Sequence, residues 1–337
     1  MAGADRGPVL VTGGAGYIGS HTVKALRRAG RDVIVYDDLS AGHREAALGV
    51  PLIVGDVADT AAVARALRET GATAVVHFAA WLAVADSVRD PAGYYRNNVV
   101  GALGTLQAMV EVGCRHFVFS STCAVYGEPV RAPIDESHAT TPLSPYGQTK
   151  LAIEQALPHF DRAYGLRSVS LRYFNAAGAD PDGELGEDHD PEIHLIPRAL
   201  VAAAGGPPLE IFGDDYPTPD GTCLRDYVHV SDLAEAHLLA LASLESDGAS
   251  ATYNVGSGEP SSVRDVMRAV ERVTGQTVPC RIAPRRPGDP AVLHASAARI
   301  QAALGWRPGR PALDTIVADA WQWYRTHPRG FGPAQGT

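Results

Sequence analysis

The chain has 337 residues, 45% of them hydrophobic, with 29 Lys and Arg against 38 Asp and Glu and a formal net charge of −9. Such a chain can bury a sizeable core in one large or two unequal domains. Its acidic balance argues against general binding to nucleic acid or an anionic membrane. No apolar run approaches the roughly 18 residues of a membrane span, and no signal peptide is recognisable, so we expect a cytoplasmic protein.

The cysteines and histidines are scattered along the chain without the spacing of a metal site or a redox motif. We therefore expect no metal, and we interpret the cysteines as buried free thiols: Cys114, Cys123, Cys223 and Cys280.

The first predicted element is the strand PVLVT, which runs into the glycine-rich stretch LVTGGAGYIGSH. Gly13, Gly16 and Gly19 lie three residues apart, between this strand and a helix-like segment. Backbone without Cβ atoms can turn sharply, and the start of a helix favours an anion such as a pyrophosphate. The pattern predicts a dinucleotide site, although a tight corner without a ligand would use the same residues.

The second predicted strand, in RDVIVYDD, ends at Asp37, which follows Gly19 by 18 residues. A carboxylate at this distance typically meets the adenosine ribose hydroxyls, and it repels a 2′-phosphate. The sequence therefore favours NAD over NADP. Arg44 is the one nearby cation that could favour NADP.

Short apolar runs alternate with helix-like segments up to about residue 175, which predicts an α/β fold with a Rossmann-like, doubly wound parallel sheet. The runs are PVLVT, DVIVYD, PLIVGD, AVVHFA, HFVFSS and SVSLRYF. Ligands of such sheets bind beyond the carboxyl ends of the strands. The strand ends GDV, HFAA, SST and RYFN should therefore line one crevice.

After Asn175 the composition shifts to glycine, proline and acids, which indicates a domain crossing. We predict an NAD-binding domain over residues 1–178, a smaller α/β substrate domain over 179–330 and a flexible tail over 331–337. The second domain should contain strands in LEIFG, YVHV and YNVGSG, and helices near 231–245, 261–274 and 311–326.

SPYGQTK places Tyr146 and Lys150 on one face of a helix, and SST ends at Thr122. A tyrosine has a pKa of about 10, and lowering it to about 7 takes roughly 4 kcal/mol. One cation at about 4 Å supplies about this much at an effective dielectric constant near 20. Lys150, with a positively charged nicotinamide, could make Tyr146 a base, whereas an exposed ring packed on a lysine stem is the alternative.

The chain resembles the extended short-chain dehydrogenase/reductases, and within them the NAD-dependent UDP-glucose 4-epimerases, over nearly its full length. The matching strings are VTGGAGYIGSH, HFAA, YYRNNVVG, SSTCAVYGE, SPYGQTK, LRYFNAAGA, IFGDDYPTPDGTCLRDYVHVSDLA, YNVGSG and APRRPGD.

The resemblance implies that the enzyme interconverts UDP-glucose and UDP-galactose through a 4-keto sugar. Tyr146 would be the base, Lys150 would tune it, and Thr122 would bind the sugar oxygen. The implied contacts to NAD are Gly13, Gly16, Tyr17, Ile18, Gly19, Asp37, Asp38, Asp56, Val57, Phe78, Ala79, Ala80, Asn97, Tyr146, Lys150 and Tyr173.

The resemblance also implies a UDP-sugar site. Arg225 and Arg286 would pair with the diphosphate, Asp289 would accept from the uridine ribose, and Phe212 would stack on the uracil. Surface ion pairs and core packing are the alternatives. The remaining implied substrate contacts are Thr122, Asn175, His194, Leu195 and Leu293, the last of which would border the hexose C2 substituent.

Other functions stay open at this point: an epimerase for a pentose or N-acetylhexosamine, a dehydratase, or an NAD-sensing protein without activity. Dehydratases usually carry an Asp-Glu pair after the strand-end threonine, where this chain has Cys123 and Ala124. One departure from the epimerases is Leu82, where a lysine is common.

The resemblance further implies a homodimer, paired through helices near 93–112 and 146–160. We expect the outward residues Leu103, Leu106, Val110 and Leu151 to form the contact, although they could equally face the sheet.

Overall fold

The structure is a computed structural model, and it describes residues 7–286 and 289–332. Its strands are β1 Val9–Thr12, β2 Val33–Asp37, β3 Leu52–Val54, β4 Ala74–His77, β5 His116–Thr122, β6 Arg167–Tyr173, β7 Asn175–Ala177, β8 Leu209–Phe212, β9 Leu224–His229, β10 Ala251–Val255, β11 Pro260–Ser262, β12 Cys280–Ala283, β13 Val292–Leu293 and β14 Pro328–Phe331.

The α-helices are α1 Tyr17–Arg28, α2 Thr60–Thr70, α3 Val84–Arg89, α4 Pro91–Tyr94, α5 Gly101–Val112, α6 Pro145–Tyr164, α7 Leu195–Ala203, α8 Val230–Glu245, α9 Val263–Thr274, α10 Ala298–Leu304 and α11 Leu313–Thr326. A π-helical turn, Tyr95–Val100, joins α4 to α5, and short 3-10 helices cover Arg44–Ala47 and Cys123–Val125.

A seven-stranded parallel sheet forms the centre of the fold, in the order β10-β6-β5-β4-β1-β2-β3. Successive side chains alternate between its faces, so Val9 and Val11 enter one core while Leu10 enters the other. Helices cover both faces, which is why apolar side chains occupy both faces of the strands. All six predicted strands lie in this sheet, and the Rossmann-like α/β fold class is confirmed.

The seventh strand of this sheet is β10, which the sequence predicts to belong to the second domain. It pairs with β6 although β10 lies well beyond residue 178. Tyr253 and Val255 of β10 are buried in the same core as Val169 and Leu171 of β6. Helix α8 also packs on α1 of the first half. The chain thus returns to the first sheet, and the predicted boundary at residue 178 does not separate the two halves.

The smaller region holds a four-stranded sheet around β9, which pairs in parallel with β7 and β13 and antiparallel with β11. A parallel pair, β8 and β12, lies beside it. Helices α7, α9 and α11 pack together over a separate apolar core. The predicted helices of this half are present as α8, α9 and α11, and the predicted strands as β8, β9 and β10.

The predicted flexible tail begins at residue 331, yet Phe331 closes β14, and its backbone N–H donates to Asp188 at 2.8 Å. Its ring also lies 5.1 Å from the ring of His43 and 5.0 Å from that of Trp323. These contacts fix the start of the tail, while residues 333–337 lie outside the described residues.

Two of the four residues expected on an outward helix face are buried instead. Leu106 and Leu151 are 0% and 5% exposed, so the prediction that they face outward is wrong. Leu106 packs with Val63 and Leu67 beneath α2, because α5 is apolar on more than one side. Leu103 is 36% exposed, so its side chain is accessible for a contact with a second subunit.

All four cysteines are free, as predicted, but of the four only Cys114 is buried: Cys123 and Cys223 are half-buried and Cys280 is exposed. Among residues 7–286 and 289–332, we find no helix with the length and apolar character that crossing a membrane requires.

Candidate active site

The glycine-rich loop turns between β1 and α1 at positions where side chains would not fit. Gly13 has φ +70°, and a Cβ there would lie 2.5 Å from the backbone nitrogen of Ala79. A Cβ on Gly19 would overlap the carbonyl of Gly13. Gly16 starts α1 without a side-chain cap and without an acid in the first turn, so the N–H groups of the helix can receive an anion. This cradle fits the diphosphate of a dinucleotide.

Asp37 fixes the loop from the neighbouring strand. Its carboxylate accepts from the backbone N–H groups of Ala15 and Leu39, both at 2.9 Å. Burial raises the pKa of Asp37, and these two amides oppose the shift. The carboxylate therefore stands directly beside the glycine loop, where a ribose of a dinucleotide would lie.

The other expected cofactor residues differ in exposure. Asp38 and Asp56 are exposed at the ends of β2 and β3, whereas the side chain of Val57 is buried in the core. Ile18 packs partly against the opposite core, and the Tyr17 hydroxyl donates to the carbonyl of Gly178 at 2.6 Å.

The end of β4 meets the π-helical turn. Phe78, Ala79 and Ala80 are half-buried there. Asn97 donates to the side chain of buried Asn98 at 2.9 Å, and Asn98 in turn receives the Trp81 N–H at 2.8 Å. π-Helical turns often occur at functional sites. This one places Asn97 beside the strand end HFAA.

Tyr146 lies at the start of α6, where Ser144 caps the helix. Burial raises the pKa of the Tyr146 phenol to about 12, and a hydrogen bond from Thr122 opposes this shift. Thr122 closes β5 and is 8% exposed. Tyr173, at the end of β6, hydrogen-bonds Ser120 and lies close enough to Tyr146 to interact with its charge. Three strand-end and helix-start hydroxyls thus meet at one edge of the sheet.

Lys150 is 3% exposed, and its ammonium donates to the carbonyl of Ser120 at 2.8 Å. Burial lowers the pKa of Lys150 to about 7, and only Glu154 opposes the shift. Burial dominates the pKa of both residues in the protein without NAD, where Lys150 by itself does not lower the pKa of Tyr146. A further positive charge is therefore required to make Tyr146 a base near neutral pH.

A buried ionic network that the sequence does not predict lies directly behind this site. Arg172 of β6 donates from Nε to both carboxylate oxygens of Glu154, at 2.9 and 3.1 Å. Ser121 donates to the same carboxylate, and Arg172 also donates to the Tyr126 hydroxyl at 2.9 Å. The sequence signals are a glutamate four residues after Lys150 and an arginine one residue before the end of β6.

Two of the expected UDP contacts, Arg286 and Asp289, line a cavity of about 260 Å³ together with Glu128, Arg285 and Pro290. Arg225 pairs with Asp289, with side chains 11% and 27% exposed. The Arg286 guanidinium carbon lies 3.8 Å from the ring centre of Phe212. The arginines are thus next to a cavity, although in this structure both are engaged with neighbouring side chains.

The remaining expected substrate residues lie on different elements. Asn175 opens β7, Leu195 opens α7 and Leu293 closes β13. Leu293 packs on the apolar cluster that contains Val125 and Tyr126, next to Thr122. His194 instead contacts Glu187 and Glu192 through Nδ1, at 2.7 and 3.0 Å.

A parallel sheet with a glycine cradle on its first strand, and a Tyr/Lys helix beside a strand-end threonine, defines a dinucleotide-dependent enzyme of the short-chain dehydrogenase type. The model of the NAD dependent epimerase/dehydratase family matches residues 9–256 of the chain. The chain belongs to this family.

Individual relatives cover nearly the whole chain. A UDP-glucose 4-epimerase of Halalkalibacterium halodurans is 51% identical over 324 residues, which cover 96% of this chain and 97% of the relative. The crystal structure of the Brucella ovis UDP-glucose 4-epimerase with NAD is 49% identical, with a TM-score of 0.92 and 94% and 97% coverage. That of the Bifidobacterium longum enzyme with NAD+ and UDP is 38% identical, with a TM-score of 0.90 and 96% and 100% coverage.

Proposed function

We propose that this chain is an NAD-dependent 4-epimerase that interconverts UDP-glucose and UDP-galactose. One observation supports the proposal most directly. Thr122, Tyr146 and Tyr173 lie together at the carboxyl edge of the parallel sheet, whose first strand leads into the glycine cradle. Family membership and the activity named for the relatives support it.

Tyr146 acts on the proton of the sugar 4-hydroxyl. Its buried phenolate needs a compensating charge, because its pKa is raised in the free protein. Lys150 supplies part of this charge when protonated, and the Thr122 hydroxyl stabilises the phenolate and orients the sugar oxygen. The glycine cradle and Asp37 would hold NAD, which would supply reversible hydride transfer at carbon 4 of the sugar without being consumed.

Arg225 and Arg286 hold the diphosphate of the substrate, and Phe212 stacks on the uracil. Two guanidinium groups beside one cavity suit paired phosphate oxygens, even in a chain with a net charge of −9. Binding then exchanges the pair between Arg225 and Asp289 for a pair between Arg225 and phosphate, and it releases Asp289 to accept from the ribose.

A dehydratase is less well supported, because Cys123 follows Thr122 where a dehydratase needs an acid. Burial raises the pKa of the Cys123 thiol to about 12, so it can serve as neither acid nor base near neutral pH. A sensor without activity would have no need for the Tyr146 and Lys150 pair.

The protein forms a homodimer through the helices near residues 93–112 and 146–160, and it is cytoplasmic. Val88, Val100 and Leu103 are 62%, 51% and 36% exposed on α3, the π-helical turn and α5, which supports a contact there. Four free cysteines support a reducing compartment.

Light scattering should give twice the mass of the chain at micromolar concentration, and Val100→Glu should halve the measured mass. A monomeric parent protein would refute the dimer.

The function is tested with purified protein and UDP-galactose in a time course followed by chromatography, without added cofactor. We expect UDP-glucose to accumulate to a constant ratio, and denatured protein to release about one NAD per chain. Activity that depends strictly on added NADP, or a product that lacks the 6-hydroxyl, would overturn the proposal.

A further inference from the structure

The loop before α7 brings four side chains with metal-binding atoms together: Glu187, His189, Glu192 and His194, which we call the His/Glu cluster. One nitrogen or oxygen atom from each lies within 4.8 Å of the others. The cluster borders a cavity of about 250 Å³ between this loop and the end of α11, which gives it a route to solvent. Apart from His194, which the resemblance implies as a substrate contact, the proposed reaction makes no use of the cluster.

The distances between these atoms fit a single bound ion. His194 Nδ1 lies 2.7 Å from Glu187 Oε1 and 3.0 Å from Glu192 Oε1. His189 Nδ1 lies 3.3 Å from Glu187 and 3.7 Å from Glu192. Tetrahedral ligands with bonds of about 2.0–2.1 Å to zinc stand roughly 3.3 Å apart, in the middle of this range.

Hydrogen bonding leaves two of these atoms without a partner. The Glu187 side chain is 6% exposed, yet its Oε1 makes no hydrogen bond with any described residue, and neither does Nδ1 of His189. Their contacts have the distance of ion pairs but not the direction of hydrogen bonds. When both imidazoles are neutral, this buried carboxylate has only the contacts to His194 at 2.7 Å and His189 at 3.3 Å and no cation to balance its charge, and a metal ion placed between them would supply one.

We propose that the His/Glu cluster binds one divalent transition-metal ion, with Zn²⁺ as the best match. Two imidazole nitrogens and two carboxylate oxygens are a donor set that suits zinc and its neighbours better than calcium or magnesium. The ion joins the two ends of the loop over residues 187–194. Because the rings of His189 and Tyr17 are 6.1 Å apart, it also braces the start of α1 beside the glycine cradle.

The alternative to a bound metal ion is that His189 and His194 are both protonated. The carboxylates raise the pKa of His189 and of His194 above the usual range, although burial alone would lower both. The cluster is then a set of ion pairs that has no affinity for metal. These two states make different predictions for metal uptake.

The experiment uses the full chain with its NAD, dialysed against a chelator and then titrated with Zn²⁺ by calorimetry. We expect about one Zn²⁺ per chain and a higher Tm, and we expect Co²⁺ to give the visible absorption of a tetrahedral site. His189→Gln and Glu192→Gln should each weaken Zn²⁺ binding at least tenfold, in line with the loss of one ligand.

Glu184→Gln is the matched control, because Glu184 belongs to a nearby acidic group that already holds Lys24. It should leave Zn²⁺ binding unchanged. No uptake by the parent protein would overturn the proposal without any variant, and so would equal binding by the parent and both cluster variants. Because the readouts are metal content and Tm, the result is independent of epimerase activity.

Discussion

Lys150 Nζ donates a hydrogen bond to the backbone carbonyl oxygen of Ser120, 2.8 Å away. This contact ties α6, which carries Tyr146, to β5, which ends at Thr122. Lys150 therefore has a positional role in addition to its charge, and the two roles can be separated experimentally.

Tyr146→Phe should lower kcat at least a hundredfold while NAD content and UDP affinity stay close to those of the parent protein. The change removes only the hydroxyl that exchanges the proton, and positioned acid–base groups contribute about 10²–10⁴-fold. Tyr95→Phe is the control, because Tyr95 is 41% exposed on the π-helical turn. Activity of Tyr146→Phe within tenfold of the parent would exclude Tyr146 as the base.

Lys150→Met keeps the length and burial of the side chain but removes its charge. The phenolate of Tyr146 then loses a stabilising cation, so the rising limb of kcat/KM against pH should move to higher pH, with at least a tenfold loss at pH 7. The full pH profile is the measurement, and bound NAD is quantified alongside it. A loss of activity with an unshifted profile would mean that Lys150 acts through position alone.

The sequence predicts the glycine cradle, the strand ends and the Tyr146/Thr122 site, because each rests on local spacing that a parallel sheet brings to one edge. It does not predict that β10 returns to the first sheet, because the sequence of a five-residue strand does not show which strand it pairs with. It also misses the pairing of Glu154 with Arg172, because a lone acid on a helix is usually solvent-exposed. The sequence also does not show that Lys150 is buried, because burial depends on tertiary packing.

Glu154→Leu should destabilise the protein by about 3–5 kcal/mol, because it leaves the buried guanidinium of Arg172 without its partner. Both side chains are less than a tenth exposed, at 5% and 9%. Glu111→Leu is the matched control, because Glu111 pairs with Arg68 on the surface at 2.7 Å, and such pairs contribute about 0–1 kcal/mol. Denaturant titrations at one fixed NAD concentration give both values. Equal losses would show that burial of the ion pair does not set its contribution.

Stability should fall as the pH drops from about 6.5 towards 4, in part through His237. Burial lowers its pKa to about 4, against an opposing hydrogen bond to Leu233. Below the unfolded-state pKa of about 6.5, the histidine of the unfolded chain binds a proton that the folded chain does not bind. The contribution of neutral His237 to the free energy of unfolding is therefore complete above pH 6.5 and is lost as the pH falls below it.

His237→Gln keeps a neutral polar side chain and should reduce the slope of unfolding free energy against pH by up to about 1.4 kcal/mol per pH unit in this window. Chemical denaturation at a series of pH values measures the slope. His159→Gln changes an exposed imidazole on α6 and should leave the slope unchanged. An unchanged slope in His237→Gln would show that His237 is already protonated in the folded state.

Leu293 should limit the size of the sugar C2 substituent. It lies on β13 opposite Arg225 of β9 and packs on the apolar cluster beside Thr122, so an acetamido group at this position would have to displace it. Overpacking costs about 1–3 kcal/mol, which is roughly a ten- to hundredfold penalty. The parent protein should therefore have a higher kcat/KM for UDP-galactose than for UDP-N-acetylgalactosamine. Leu293→Ser should narrow the gap, whereas Leu293→Met, which conserves volume, should preserve it; equal values for the two substrates in the parent protein would show that Leu293 does not control their selection.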